Sequence, residues 1–518
     1  MAFGKNTSRT QHNDYATSLA KMSRIAKIRR TRQEGAFAVM SVPLLIVMIG
    51  FWGLALDIGQ IYNRKVDLHG VAKAAALAAA RELDGTPAGL VAARNAASAA
   101  VANLRYQNYG NGIPFTWRDD ALSFSTTSSR TGGWIPSTAA NGQAAALFFA
   151  RVDTADLDPA IGEVRTFLIS IFDSSLATVR VSDSAIAGRT SVKTVPIGIC
   201  AMSPDAAAAR PATSASGPNL SELVQYGFRR GISYDLMKLN PNNTKPIRFA
   251  INPVSEPGTN SQSFSIAALE PFVCSGSMWV KRITGNTIRV SELPDASPLA
   301  SLHAALNTRF DTYASTPCTS SGAAPDINIK SYAYDQAGVV KWMTPDKGTP
   351  AVATTTDRGK SEPVFELSTP PASPGAYGPL WAYAKAARAP SPVDSPEPVG
   401  GYATFSPTDW PTLYPSGPTS SNYPTSPPVP YRASTTGSGY YQAPSLANRP
   451  MAIPHRRLLN IPILSCNPTA PSGTNAPATV VAIGKFFMTV PATDNSLIAE
   501  FAGLLPPQSM PGHVELFP

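Results

Sequence analysis

Charged side chains make up only 15% of this 518-residue chain, so the few places where they cluster carry information. Histidine is scarcer still: His12, His69, His303, His455 and His513 are scattered, with no H-E-x-x-H pair. No G-x-S-x-G elbow occurs either, so two common hydrolase signatures are missing. Gly359-Lys360-Ser361 is similar to the end of a phosphate-binding loop. Thr354 stands where the first glycine is required, and an exposed turn is the expected role. There are four cysteines, none spaced C-x2-4-C, which argues against a zinc site. These shortages predict a chain that is not an enzyme, with no catalytic residue, no cofactor and no metal. A hydrolase with dispersed catalytic residues stays open, since motif absence alone does not exclude it.

Long hydrophobic runs are also rare, and the one present is decisive. Gly35 to Leu56, GAFAVMSVPLLIVMIGFWGLAL, holds no charge and ends at Asp57. Its length at about 1.5 Å of helical rise per residue is roughly 33 Å, against a hydrocarbon core of about 30 Å. The run predicts one transmembrane helix. Pro43 is tolerable there because neighbouring helices or local adjustments can satisfy the carbonyl it frees. A cleaved signal peptide is the rival, but its apolar core is shorter, about 7 to 15 residues, and followed by a small-residue cleavage site.

The net charge of +9 is concentrated ahead of this run. Lys5, Arg9, Lys21, Arg24, Lys27, Arg29, Arg30 and Arg32 face only Asp14 and Glu34 there. Removing those eight from 43 basic residues and two from 34 acidic ones leaves 35 against 32, or +3, for the remainder. Basic residues beside a span stay cytoplasmic, which places the rest of the chain outside, in the periplasm if the cell has two membranes. The basicity argues for topology and contact with anionic lipid rather than nucleic acid.

Cys200, Cys274, Cys318 and Cys466 all fall on the outer side, where disulfides are permitted. Of three connectivities, Cys274 with Cys318 and Cys200 with Cys466 is preferred because the first pair encloses one compact segment. Separate buried thiols are the alternative.

The expected fold class is α+β: a single N-terminal transmembrane helix continuing into an Ala-rich helical hairpin, then a mixed, mainly β extracytoplasmic domain with a Pro-rich extended arm. The segments expected are 1–34, a basic cytoplasmic tail; 35–56, the span; 57–106, the hairpin; 107–369, the α+β domain; 370–454, the arm; and 455–518, strands completing the domain. Gly85, Thr86 and Pro87 suit a helix stop, a cap and a new first turn. The alanine faces let helices approach closely, either within the hairpin or on a partner. Strands are expected at 146–153, 177–187, 458–465, 479–490 and 497–504, and helices at 163–172 and 302–313. Nineteen of 49 prolines lie between Pro370 and Pro454, which favours extended backbone. Eleven aromatic residues from Tyr377 to Tyr441 punctuate the same stretch, so a partly packed arm is preferred over a free linker.

The segment RQEGAFAVMSVPLLIVMIGFWGLALDIGQIYNRKVDLHGVAKAAALAAARELDG resembles the N-terminal region of TadG-like proteins of Flp, or tight-adherence, pilus assembly. Arg32, Gln33, Gly35 and Ala36 match the family's start; Asp57, Gly59 and Tyr62 match an Asp-x-Gly-x-x-Tyr junction; Leu68 and Ala72 to Ala80 match an alanine-rich stretch. Leu68-His69-Gly70 and Lys73 depart from the usual Leu-Gln-Asn and Asp. HRRLLNIPILSC, VVAIGKFFMTVPA and SLIAEFAG are similar to the tail of longer members. The resemblance implies a bacterial inner-membrane component, bulk periplasmic, with pilin-like subunits or other pilus-assembly membrane proteins as partners. Pilin precursors carry Glu at the fifth mature position; counted from Ala36 it is Met40, so cleavage and polymerisation as a pilin are not expected. Some longer members carry a von Willebrand-type domain needing D-x-S-x-S, but Asp173-Ser174-Ser175-Leu176-Ala177 ends in alanine. A structural or accessory component of pilus assembly is the first functional reading. A membrane-anchored glycan- or peptide-binding protein, using the aromatic arm, is the second.

Overall fold

The computed structural model describes residues 34–102, 104–106, 113–212, 219–241, 245–255, 264–283, 287–332, 381–414, 423–436, 438–505 and 512–517. The basic tail, the 359–361 turn and the start of the arm, including Tyr377, lie outside the described residues. A long helix, α1 (Glu34–Glu82), contains the whole apolar run with Pro43 inside it and continues without a break into the alanine-rich segment. A second helix, α2 (Pro87–Ala102), follows. The turn between them uses its punctuation fully. Gly85 takes a left-handed φ of 84°, which a side chain would resist. Thr86 Oγ1 accepts the Gly89 amide at 3.0 Å, and Asp84 Oδ1 accepts both the amide and the hydroxyl of Thr86. Arg189, itself buried, donates from Nη2 to the Arg81 carbonyl in the last turn of α1, where a cation complements the helix dipole.

Two compact units divide the chain, and they do not follow the sequential segments expected. The first runs to Ala74 and adds Val101–Ala121 and Val152–Ala185; the second is Ala75–Ala100, Leu122–Arg151 and Ile186–Pro518. The stretch 107–369 is therefore cut between units, while the described arm and the C-terminal strands join the middle of the chain. Helix α1 contributes to both.

Around an eight-stranded mixed sheet the second unit is built, in the order Ser233–Asp235, Ile498–Leu504, Val480–Met488, Leu458–Leu464, Ile197–Cys200, Arg248–Ile251, Ile288–Glu292 and Ala476–Ala478. Leu458–Leu464 runs parallel to Ile197–Cys200, with Ile463 opposite Ile199 and Leu464 opposite Cys200. Antiparallel pairing of Leu458–Leu464 with Val480–Met488 extends from Leu458↔Phe487 to Leu464↔Val480. Ile197–Cys200 and Arg248–Ile251 are buried at every position, as strands covered on both faces are. Cys200–Cys466 bridges the ends of the parallel pair, and Cys274–Cys318 ties a short helix, Glu270–Ser275, to a following loop. A five-stranded sheet orders Gly512–Phe517, Ser184–Val192, Phe149–Asp153, Leu122–Ser125 and Ile135–Pro136.

Local expectations need three corrections. Residues 163–172 are not one helix: Glu163–Arg165 is a strand paired with Thr178–Arg180, and only Ile169–Phe172 is helical. Residues 177–187 hold two strands, Thr178–Arg180 and the start of Ser184–Val192. The helix at 302–313 is shortened to His303–Asn307 with a 3-10 turn, Thr308–Phe310.

The described part of the arm, from Trp381, joins the core. Trp381, Phe405, Trp410, Tyr414 and Tyr431 are all buried, and Trp381 meets Trp410 edge-on at 4.9 Å between centroids. Its entry is pinned by Glu500, a fully buried residue of the Ile498–Leu504 strand, whose carboxylate accepts the amides of Ala382 (2.7 Å), Tyr383 (3.0 Å) and Ala384 (2.7 Å). Burial pushes the Glu500 carboxyl up to about 7, the three amides opposing the rise. The unfolded chain releases this proton near the ordinary 4.5, whereas the folded one keeps it to about 7. This group's stabilisation is therefore full below pH 4.5 and lost as pH rises to about 7, a change of about 3 kcal/mol. Thermal unfolding should reflect it: the midpoint falls between pH 5 and pH 8, and Glu500→Gln shrinks that fall. An identical pH slope in the variant would refute the assignment.

Alanines once open to two roles are assigned one. Ala72, Ala75, Ala76, Ala79 and Ala80 are fully buried within the chain, as are Ala93 and Ala97 of α2. They are not a surface for partners. Ala75→Leu combined with Ala79→Leu should thus overpack the interior, at about 1–3 kcal/mol each, and lower the melting temperature and the amount of protein that accumulates. A double variant that melts like the parent would contradict this.

Candidate functional site

Gly35, Asp57, Gly59 and Tyr62 lie along α1, Gly35 in its first turn. The four cysteines belong to the second unit and take no part in this site. From Val39 to Leu56 the large apolar side chains of α1 are exposed, Phe51 and Trp52 among them. A buried stripe begins inside this run at Gly53 and continues through Asp57, Arg64, Leu68 and Val71 with Ala72. Steps of four, seven and four residues keep one helix face in register.

Residues 152–185 supply what this stripe meets at its start. Glu163–Arg165 and Thr178–Arg180 form an antiparallel hairpin with Val164 opposite Val179. Thr166 closes the hairpin's loop end, the amide donating to Ala177 O at 3.1 Å and the hydroxyl to Leu176 O at 2.6 Å. Beyond that closure the tip turns back on α1. Asp57 Oδ1 accepts the Phe167 amide at 2.9 Å, and Oδ2 accepts those of Leu168 and Ile169 at 2.7 and 2.8 Å. Three consecutive N–H groups at the start of a helical turn lack intrahelical partners, and a carboxylate is the strongest acceptor available to them. One turn earlier, Leu168 occupies the space beside Gly53, where an added Cβ would collide with its Cδ1. Further along, Arg64 Nη1 donates to Ile161 O at 2.6 Å, and His69 Nδ1 lies 3.1 Å from Asp183 Oδ2. The site is a clasp that fixes a folded hairpin to the C-terminal end of the apolar run.

Asp57 thus has a defined task, while the other junction residues face outward. Tyr62 is 66% exposed, and a Cβ on Gly59 would meet nothing within 4 Å. Gly53, Arg64 and Leu168 were not singled out from the sequence. Glycine inside an apolar run is too common there to signal contact, and Leu168 sits 111 residues from Asp57. Among the described residues no group of three His, Cys, Asp or Glu side chains could hold a metal ion.

The family model for Flp pilus-assembly TadE/G-like proteins matches residues 35–82, which is α1 from its second residue to its last. Neither the curated proteins nor the solved structures yielded a match. Helix α1, with the Asp57 clasp on one side and its exposed apolar run before it, is thereby the part of the chain that is similar to TadE/G-like Flp pilus-assembly proteins.

Proposed function

We propose that the chain is a membrane-anchored structural or accessory component of Flp, tight-adherence pilus assembly, contributing to adherence and carrying no catalytic role. Its basic tail lies in the cytoplasm, residues 35–56 cross the bacterial inner membrane once, and the bulk is periplasmic. The observation that carries this is the coincidence of the matched residues with one unbroken helix, apolar and exposed at its start and built into the folded chain at its end. Charge asymmetry supports the orientation, and two disulfides suit an oxidising compartment. Partners are pilin-like subunits or other pilus-assembly membrane proteins, met by the exposed side of α1 that includes Ile58, Tyr62 and Val66. The second reading, an anchored glycan or peptide binder, is disfavoured because Trp381, Trp410, Tyr414 and Tyr431 are turned inward and unavailable for stacking.

Affinity purification of the tagged, detergent-solubilised chain tests the proposal. Recovery of pilin-like or platform membrane proteins, lost when 35–84 is replaced by an unrelated anchor, is the expected result. No such recovery, with a glycan or peptide ligand retained by the remainder, would overturn it.

A further inference from the structure

The hairpin tip held by Asp57 exposes apolar side chains that the clasp does not use. Phe167 is 76% exposed, Ile171 72% and Leu176 43%. Exposed apolar residues gathered on one short loop mark a contact surface, and the loop's position indicates with what. Leu168 packs at Gly53, which lies within the uncharged run, four residues before Asp57. Four residues of helix amount to about 6 Å along the axis. The tip is therefore level with the last turn of the apolar run, whose Phe51, Trp52 and Leu56 are themselves exposed. Whatever surrounds that turn of α1 also surrounds the tip.

We propose that residues 167–176 are a second membrane element, dipping into the outer interface of the bilayer beside α1. This rests on the reading of 35–56 as a membrane span. An apolar surface seated about 5–10 Å into the boundary between headgroups and acyl chains is the depth interfacial elements adopt, and it agrees with the level of Leu168. The chemistry along the loop fits the same placement. Phe167 and Ile171 supply the apolar contact, whereas the Asp173 carboxylate is turned back on its own loop, accepting from the Ser175 amide at 2.9 Å and hydroxyl at 2.6 Å. Arg165, in the hairpin pair next to the loop, is exposed, where its guanidinium group can reach lipid phosphates, whereas Arg180 at the far end donates to Glu163 Oε1 at 2.9 Å. The backbone of the tip is also ready for an apolar medium: Asp57 takes three of its amides, and Thr166 satisfies the Leu176 carbonyl. Unpaired backbone groups are what normally keep loops out of lipid. Together with α1, the tip gives the first unit two points of membrane contact, which fixes its rotation about the helix axis.

The test uses the full-length chain in vesicles of phosphatidylethanolamine and phosphatidylglycerol. Phe167→Cys and Ile171→Cys are labelled singly with an environment-sensitive fluorophore; the native cysteines are bonded in pairs. Val47→Cys, at an exposed position in the span, is labelled as the lipid reference. Because Asp57 holds backbone amides, these substitutions leave the clasp intact. The expected result is loss of emission at 167 and 171 to lipids carrying a nitroxide near the headgroup, with shielding from aqueous iodide. Iodide quenching as strong as for the free label, with no nitroxide effect while the 47 label stays lipid-quenched, would overturn the proposal and make the tip a protein-docking surface. Loss of lipid quenching at 47 as well would show that the anchor reading itself had failed, and the proposal with it.

Discussion

Asp57→Ala releases the hairpin tip from α1, and amide exchange at Phe167, Leu168 and Ile169 rises by about a thousandfold. The size follows from the three bonds lost. Each is a hydrogen bond to a charged acceptor at 2.7–2.9 Å, and such bonds contribute about 1.5–3 kcal/mol apiece. They share one acceptor group and one loop, so the sum is not additive; a net loss on the order of 4 kcal/mol is expected, at about 1.4 kcal/mol per decade of exchange. Asp57→Asn keeps one carbonyl oxygen but turns an NH2 toward the remaining donors, and lands between the two. The change is local: the second unit holds its own sheet and should keep its melting behaviour. Hydrogen exchange read by mass spectrometry separates the regions. Unchanged protection of 167–169 in the alanine variant would mean that the carboxylate is not what holds the tip.

Arg457→Met has the opposite reach and should prevent the second unit from folding. Arg457 is fully buried, and every guanidinium nitrogen donates: Nε to Met488 O at 3.0 Å, Nη1 to Asn328 O and Lys330 O at 2.8 Å, and Nη2 to Met488 O at 2.7 Å and Thr489 O at 3.0 Å. Phe310 and Phe487 lie 4.4 and 4.5 Å from its Cζ, and Tyr332 lies 5.2 Å away. Its own amide donates to Asp326, which also accepts from the Tyr431 hydroxyl and the Asn328 amide. One side chain therefore joins segments near 328, 457 and 488. Methionine fills similar volume but takes the guanidinium donors from the carbonyls of Met488, Asn328 and Lys330, each loss costing about 1–3 kcal/mol when unsatisfied, while Thr489 O keeps the Tyr332 amide at 2.9 Å. The total is comparable with the 5–15 kcal/mol that holds a domain together. The expected observation is a chain that reaches the membrane but is degraded beyond its anchor by added protease. Arg457→Lys, with three donors, should retain a weakened fold. A methionine variant as protease-resistant as the parent would refute this account.

What was legible in the chain was mostly local. The length of the uncharged run and the Gly85-Thr86-Pro87 punctuation gave the helix and its end because capping and hydropathy act within a few residues. Runs such as LLNIPIL and VVAIGKFFM read as strands, and they stand side by side in the sheet. The segment EVRTFLISIF misled because its apolar spacing fits a helix as well as a strand; the choice was made by distant partners, Thr178–Arg180 for the strand and Asp57 for the amides. Asp57 itself was noticed through a family pattern, and its chemistry became visible only once residues 167–169 stood opposite it. The proline-rich arm illustrates the converse. Its aromatic content already argued for packing, but that Glu500 would receive its first amides depended on a strand more than a hundred residues away.

The order of strands in the large sheet also bears on how the protein is made. Leu458–Leu464 and Val480–Met488 stand between Ile197–Cys200 and Ile498–Leu504, although they come much later in the chain than Ile197–Cys200. A ribosome delivers Ile197–Cys200 long before these strands. Throughout that interval Ile197–Cys200, buried at every position in the finished sheet, waits without Leu458–Leu464, the neighbour that closes it on one side. Chain growth at about 5–20 residues per second makes the wait last tens of seconds. The anchor meanwhile keeps the unfinished chain tethered at the membrane surface, where diffusion is two-dimensional and an exposed strand edge meets others of its kind more readily. Efficient production of this protein should therefore depend on a chaperone that covers strand edges until Leu458–Leu464 and Val480–Met488 arrive.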